Sequence, residues 1–152
     1  MITLYESILS STKTGKTAFL IPKDKNELID MISNEIMKNG LKCDLNHIKT
    51  HKITDMSNLF GDSWFNGDIS NWDVSNVKNM KSMFAFSDFN GDISKWNVRK
   101  VENMEMMFER NSYFNNDISN WKINSKCDTR NMFYRCKIKD EYKPKQNGKI
   151  IE

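Results

Sequence analysis

The sequence predicts an α/β solenoid, a fold made of one repeated turn, and two observations lead to this prediction. A block that runs from Phe-Asn through Asp-Ile-Ser to Trp occurs three times, in residues 65–77, 89–101 and 114–123. Its tryptophans, Trp72, Trp96 and Trp121, are 24 and 25 residues apart. A fixed period of this length is typical of stacked repeats, in which each unit buries its apolar face only against the next unit.

The first 52 residues do not repeat, and we interpret them as an N-terminal α/β cap. Ile2–Leu9 predicts a short helix, and Lys16–Ile21 predicts a strand that Pro22 ends. An amphipathic helix follows over about residues 25–39, because apolar residues recur there at helical spacing. Its apolar face suits the exposed end of the first repeat, since a stacked array needs a cap at each end.

The signals that define this helix lie at both of its ends and along one face. They are Asp24 as N-cap, Glu27 three residues later, Gly40 as the stop, and the apolar residues Leu28, Ile29, Ile32, Ile36 and Met37.

Residues 53–136 form the predicted array of about 3.5 repeats, each with two halves. The first half contains Met and Phe, as in residues 53–60, 77–84 and 101–108, and predicts a short helical turn. Asp55, Asn79 and Asn103 are placed to cap these turns. The second half, Asp-Ile-Ser followed by Trp-x-Val or Trp-x-Ile, predicts a short strand. The pattern ends after a degraded copy at Phe133, and residues 137–152 predict a polar, basic, partly ordered tail.

Composition and the distribution of charge bear on whether the chain binds nucleic acid. Hydrophobic residues make up 38% of the chain and the formal net charge is +3. The array carries 10 basic and 11 acidic residues, so the positive excess lies at the two ends. This weakens the hypothesis of a nucleic-acid binder, which would be expected to carry a basic stripe on the array.

Location is predicted from cysteines and from targeting signals. Three cysteines, Cys43, Cys127 and Cys136, argue against a disulfide framework and favour a reducing compartment. The start of the chain shows no signal-peptide pattern, and no apolar run approaches the ~20 residues of a membrane span. We therefore expect a cytoplasmic protein, or a surface protein if an export signal is missing.

The repeated block resembles the BspA-like leucine-rich repeats, also called DUF285 or mycoplasma-lipoprotein repeats. The matching residues in the second repeat are Val77, Asn79, Met80, Met83, Phe84, Phe89, Asn90, Asp92, Ile93, Ser94, Trp96 and Val98. The resemblance covers about residues 44–136, beginning at Asp-Leu-Asn-His-Ile. It implies a leucine-rich-repeat-type solenoid, wound as a right-handed coil with short parallel strands along one side. Members of the family are often described as bacterial surface or secreted proteins.

The repeated tryptophans have two interpretations. Their ring faces could stack on bases or sugars, or they could form the core and repeat because the core repeats. We favour the core, because Val74 and Val98 follow Trp72 and Trp96 at the spacing of one strand face.

Polar residues that flank the inward-pointing isoleucines form the candidate binding surface, which we call the strand face. Its members are Asn66, Asp68, Ser70, Asn90, Asp92, Ser94, Asn115, Asp117 and Ser119. Three stacked carboxylates repel one another unless they are hydrogen-bonded or paired. They could form an acidic stripe for a basic partner, each Asp could accept backbone N–H groups of its own turn, or the row could hold a cation. We favour the second interpretation for the aspartates.

The sequence gives little support for a phosphate-binding, metal-binding or catalytic site. Residues 10–17 resemble a phosphate-binding loop but lack its first Gly and the helix that should follow. Cys43, His47 and His51 have helical spacing for zinc, without a fourth ligand nearby. No nucleophile, base and orienting group occur together. We expect no catalytic residue, no metal, no cofactor and no small-molecule substrate.

The sequence thus favours a non-enzymatic module that binds a macromolecule, most simply a protein, through the strand face with contributions from the ends, including the insertion near Tyr113. Abundant Lys, Asn and Ile indicate an AT-rich bacterial or phage genome. An inhibitor of a host defence nuclease is one example of such a module. The alternatives are a bacterial surface adhesin and a nucleic-acid binder that uses the basic ends.

Overall fold

A computed structural model describes residues 19–152 of the chain. Its regular elements are one helix, α1 (Lys25–Asn39), a 3-10 turn at Asp140–Tyr142, and two strands, β1 (Lys145–Gln146) and β2 (Lys149–Ile150). The predicted helix over residues 2–9 and the first part of the predicted strand over residues 16–21 lie outside the described residues. In the rest of that predicted strand, Leu20 forms a single bridge with Ile48.

Helix α1 occupies the residues that the sequence predicted for it, and its ends have the predicted signals. The Asp24 carboxylate accepts the Glu27 N–H at 3.0 Å, and the Gly40 N–H donates to the Ile36 carbonyl at 2.8 Å. Gly40 has a φ of 83°, a conformation that glycine adopts without strain. Leu28 and Ile32 are buried in the common core. Ile36 is partly buried against that core, whereas Ile29 and Met37, predicted on the same face, are 40% and 77% exposed. The helix therefore packs only part of its predicted apolar face.

The predicted fold class, a leucine-rich-repeat-type solenoid of parallel strands and helical turns, is wrong. Within residues 19–152 the structure has only α1, the 3-10 turn and the antiparallel pair β1–β2, in which Lys145 faces Ile150. Parallel pairing is limited to isolated bridges such as Asp55–Asn79 and Asn79–Asn103. The repeats are therefore successions of turns, not strands and helices.

Backbone conformation explains why the Met–Phe halves are not helical. Four stretches, residues 55–62, 79–86, 103–110 and 128–135, are called here the first to fourth turn segments. Each contains two residues of left-handed backbone conformation, four apart, with φ between 53° and 58°: Asn58, Asp62, Ser82, Phe86, Met106, Arg110, Asn131 and Arg135. A right-handed helix cannot continue through such residues. Asp55 and Asn79 accept N–H groups two residues on, which makes them turn residues instead of helix caps.

Short turns also interrupt the predicted strands. The Asp68 carboxylate accepts the Ser70 N–H at 2.9 Å, and the Trp72 N–H donates to the Ile69 carbonyl at 3.1 Å. Such local bonds use the groups that a strand would offer to its neighbour. The Asp-Ile-Ser motif therefore specifies a turn.

Equivalent turns nevertheless lie one above another, because hydrophobic rings stack between them. Phe84 packs between Phe60 and Phe108, with ring centroids at 5.8 and 5.4 Å. Phe89 packs between Phe65 and Phe114, at 6.4 Å from each. These rings are at most 2% exposed. The repeated aromatics thus form one continuous core.

The C-terminal segment packs on the last repeat. Ile138 and Ile151 are buried in the common core, and Lys145 bridges to Lys122. The Gln146 side chain donates to the carbonyls of Asn124 and Cys127 at 2.9 and 2.8 Å. The segment is thus tied to the array, whereas the sequence predicted a partly ordered tail. The division of the chain at residues 52 and 136 stays a prediction.

Candidate functional site

The aspartates of the strand face satisfy their own turns. Asp68, Asp92 and Asp117 each accept, at 2.9 Å, the N–H of the serine two residues on. Hydrogen bonds from the backbone and side chain of that serine lower the pKa of Asp68 and of Asp92. The proximity of Asp68 opposes this effect at Asp92, so the two carboxylates are close enough to repel. This geometry agrees with the interpretation in which each Asp accepts backbone N–H groups.

The asparagines of the strand face link one repeat to the next. The side-chain oxygen of Asn66 accepts the Asn90 N–H at 2.9 Å, and that of Asn90 accepts the Asn115 N–H at 3.0 Å. The Asn115 oxygen in turn accepts the Lys139 N–H at 3.0 Å. The strand face therefore contributes to the stacking of repeats, a role that the sequence analysis did not assign to it.

The tryptophans are part of the core, as favoured from the sequence. Trp72, Trp96 and Trp121 are 3–4% exposed. Each indole N–H donates to a backbone carbonyl of the preceding repeat, at distances from 3.0 to 3.2 Å. Because the rings are covered on the inside of the array, they offer no platform to a base or a sugar.

The zinc hypothesis finds no geometric support. Burial raises the pKa of the Cys43 thiol, which disfavours the thiolate that a metal needs. His47 faces Glu35 at 3.6 Å. Across residues 19–152, no three His, Cys, Asp or Glu side chains come together as metal ligands would. The phosphate-loop-like residues 10–17 lie outside the described residues.

Four exposed aromatic side chains lie at the ends of the turn segments or on the loops that follow them, and we call this surface the aromatic edge. Its members are Trp64, Phe86, Tyr113 and Tyr134, which are 76%, 48%, 59% and 45% exposed. One comes from each successive repeat. Large exposed apolar side chains grouped on one surface are unusual in proteins without a binding partner.

Backbone hydrogen bonds stack these loops in order. The Asp88 N–H donates to the Ser63 carbonyl at 3.1 Å, next to Trp64. The Phe86 N–H donates to Glu109 at 2.8 Å, and the Arg110 N–H donates to Tyr134 at 2.8 Å. The four aromatic residues therefore lie on backbone segments that stack in neighbouring layers.

Cations accompany two of the rings. The Arg110 guanidinium lies over the Phe86 ring at 5.5 Å, and the Arg135 guanidinium lies over the Tyr134 ring at 5.3 Å. Both arginines are exposed. Stacked in this way, both guanidinium groups can still bond to a carboxylate of a partner, and Arg110 Nε also lies 4.0 Å from a Glu109 carboxylate oxygen.

A buried amide supports the third loop. Asn111 is 0% exposed, and its side-chain oxygen accepts the N–H groups of Tyr113 and Phe114 at 2.9 Å each. Its side-chain nitrogen donates to the Ser87 hydroxyl at 3.2 Å and to the Phe89 carbonyl at 3.0 Å. The inserted residue of the third repeat is accommodated here, and Tyr113 is directed outward.

Tyr113 belongs to the surface predicted from the sequence, whereas the exposure of Trp64, Phe86 and Tyr134 was not predicted. A signal existed, because these aromatics stand where other repeats have small or charged residues. Phe86, for example, occupies the position of Asp62 and Arg110. Its exposure could not be predicted, since it depends on the left-handed backbone of that position.

Comparisons with known proteins place the chain in a family without assigning a function. No curated protein and no solved structure matches the chain significantly. In the described part of the chain, no helix has the length and apolar character required to cross a membrane. The family model described as "Mycoplasma protein of unknown function, DUF285" matches residues 27–144. The chain therefore belongs to the DUF285 family.

Proposed function

We propose that the chain is a non-enzymatic module that binds another protein through the aromatic edge. The observation that carries this proposal is the exposure of Trp64, Phe86, Tyr113 and Tyr134 on neighbouring loops. Trp, Tyr and Arg are the residues that most often dominate the energy of protein interfaces. Their rigid rings also lose little conformational entropy when they are buried.

The chemistry of the partner follows from the cations beside the rings. Arg110 and Arg135 would pair with carboxylates that surround an apolar centre of the partner surface. Near the first repeat the edge carries Asp62 and Asp88 instead. A partner would therefore present an apolar stripe that is basic at one end and acidic at the other.

The strand face is the second candidate surface, and its role in binding stays a prediction. One oxygen of each of its aspartates is bonded within its turn, Asn66 and Asn90 each link two repeats, and Asn115 links the last repeat to the C-terminal segment. These internal bonds are a sufficient reason for the residues to recur in each repeat, and no binding role is needed to explain it. The aromatic edge has no such explanation, since its residues differ from repeat to repeat.

Cysteines without disulfide partners favour the cytoplasmic location that we propose from the sequence. Cys43, Cys127 and Cys136 are free cysteines, and burial raises the pKa of the Cys127 thiol to about 11. Such thiols fit a reducing compartment.

The test compares a double-substitution variant of the aromatic edge with a triple-substitution control on the strand face. Trp64→Ala combined with Tyr113→Ala removes exposed rings, and should change the free energy of unfolding by less than about 0.5 kcal/mol per site. The control replaces Asp68, Asp92 and Asp117 by Asn. Wild type and both variants serve as bait in lysate of the native host, and retained proteins are identified by mass spectrometry.

The affinity of a retained protein is then measured with purified components. We expect the double alanine variant to lose at least about tenfold in affinity, because truncated interface anchors cost about 2 kcal/mol or more. The asparagine variant should bind like wild type. Loss of binding in the asparagine variant alone would show that the partner binds to the strand face and not to the aromatic edge. Unchanged binding in the double variant would refute the proposal.

The nucleic-acid alternative has a separate test. Binding through the basic ends should weaken steeply as salt rises, with a slope set by the number of phosphates contacted. A flat response between 50 and 200 mM salt, roughly the range in which such binding collapses, would remove this alternative.

A further inference from the structure

Each turn segment but the last donates four backbone N–H groups to the segment that follows. The second segment illustrates the pattern: Met80, Ser82, Phe84 and Phe86 donate to the carbonyls of Asn103, Glu105, Met107 and Glu109 at 2.8, 3.0, 2.9 and 2.8 Å. The first and third segments donate from the equivalent residues in the same way. This row of alternate bonds joins the repeats along one side.

The fourth segment has the same four donors and no following segment. Thr129, Asn131, Phe133 and Arg135 stand at the equivalent positions, and their backbone N–H groups bond to no atom of residues 19–152. We call these four groups the open donor row. Unpaired backbone donors at the edge of a stacked structure are a template for another chain.

A groove of about 880 Å³ runs beside this row. The fourth turn segment forms one wall, including Thr129, Asn131 and Tyr134, and the β1–β2 hairpin forms the other, including Lys149 and Ile150. Gln146 fixes the hairpin, because it also accepts the Thr129 hydroxyl at 3.0 Å. The groove therefore has apolar and polar walls, and Thr129 and Asn131 of the open donor row line it.

Charge and geometry indicate what would occupy the groove. Residues 121–152 contain nine basic and four acidic residues, so this end of the molecule has an excess of five positive charges. The groove lining itself carries two residues of each sign, Arg130 and Lys149 against Asp128 and Glu152. The donors require carbonyl groups at alternate positions, which a polypeptide backbone supplies and a nucleic-acid backbone does not. A second copy stacked end to end would present α1 to the open donor row, because α1 covers the first repeat and its Lys25 contacts Ser57 of the first turn segment at 2.7 Å. The N–H groups of the row would then meet a helix instead of a turn segment with free carbonyl groups.

We propose that the open donor row and its groove bind an acidic polypeptide segment of a partner protein, whose alternate carbonyl groups accept the four N–H bonds. The segment would continue the stack as a further turn segment. This surface goes beyond the aromatic edge, with which it shares Tyr134 and the neighbouring Arg135.

The probe is a synthetic peptide with the sequence of residues 101–109, VENMEMMFE. Within the protein this segment already accepts the equivalent row of the second turn segment, and it carries three glutamates. The wild-type protein is titrated with it, and amide chemical shifts and hydrogen exchange are followed by NMR. Two control peptides are used. One has the same residues in scrambled order, and the other has glutamine in place of the three glutamates.

We expect the backbone amides of Thr129, Asn131, Phe133 and Arg135 to shift and to exchange more slowly, while that of Ser82 stays unchanged. The glutamine peptide should bind several-fold more weakly, and the scrambled peptide should cause no protection of the row. The Lys149→Glu variant should lose about two- to fivefold in affinity for the native peptide, as exposed ion pairs do.

Three results would overturn the proposal. One is the absence of protection at the four amides at millimolar peptide. Another is stronger protection of the same amides by a single-stranded oligonucleotide. The third is their protection on self-association of the protein, which would assign the row to a second copy. The Trp64→Ala/Tyr113→Ala variant should retain peptide binding, so failure here is distinguishable from failure at the aromatic edge.

Discussion

Replacement of Asn111 by Ala should destabilise the protein through lost hydrogen bonds more than through lost packing. The side chain is 0% exposed and takes part in four bonds, two as acceptor and two as donor. Truncation leaves the N–H groups of Tyr113 and Phe114, the Ser87 hydroxyl and the Phe89 carbonyl without this partner. The loop that presents Tyr113 loses its support at the same time.

The loss in free energy of unfolding depends on how well water can replace the Asn111 amide as a hydrogen-bond partner. A buried group left without a partner costs about 1–3 kcal/mol, and a bond that water can restore costs less. The Phe114 N–H is buried, whereas the Tyr113 N–H is partly accessible. We therefore expect a loss of about 2–4 kcal/mol, which is smaller than the 5–15 kcal/mol of a typical domain and leaves the protein folded.

Urea unfolding followed by tryptophan fluorescence measures this loss, because Trp72, Trp96 and Trp121 are buried in the core. Asn97→Ala is the matched control, since Asn97 is exposed and accepts only the Arg99 N–H at 3.4 Å. The control should change the free energy of unfolding by less than about 0.5 kcal/mol. A loss below about 1 kcal/mol for Asn111→Ala would refute the reasoning, because the amide would then not be required by its four partners.

Two further predictions concern the repeats. Gly67→Ala should lower the free energy of unfolding in urea by about 1–3 kcal/mol, because an added Cβ would lie 2.1 Å from the Cys43 carbonyl oxygen. Gly61→Ala is the control and should cost less, since the atom closest to an added Cβ there is at 3.3 Å. Equal costs for the two variants would contradict this prediction. The pKa of Asp92 is lowered from its ordinary value of 3.8 in the folded protein, so its contribution to stability is present above pH 3.8 and is lost as the pH falls through the lowered value. Asp92→Asn keeps an acceptor oxygen and should make acid unfolding less steep, and an unchanged pH profile would argue against the Ser94 bond as the cause.

The buried half of the molecule could be predicted from the sequence to a large extent. Phe84, Phe89 and Trp96 are in the core, where their repetition placed them, and α1 begins and ends at its predicted residues. Large apolar side chains that recur at a fixed period must be buried together, whatever the backbone between them does.

The backbone between these residues could not be predicted. The Met–Phe halves have helical composition, yet Ser82 and Phe86 adopt left-handed conformations that no residue preference would suggest. Bonds between neighbouring turn segments hold this backbone in place, and these bonds exist only when the repeats are stacked. The predicted helical turns and strands were wrong for this reason.

By itself the sequence determined the period, the residues of the core, helix α1 and the absence of a recognisable catalytic motif, because these depend on the order and chemistry of the residues. Only the tertiary structure decided which side chains remain exposed and which backbone groups remain unpaired. The aromatic edge and the open donor row both depend on how loops from different repeats come together. Such long-range arrangements follow from stacking, and a local pattern of residues does not record them.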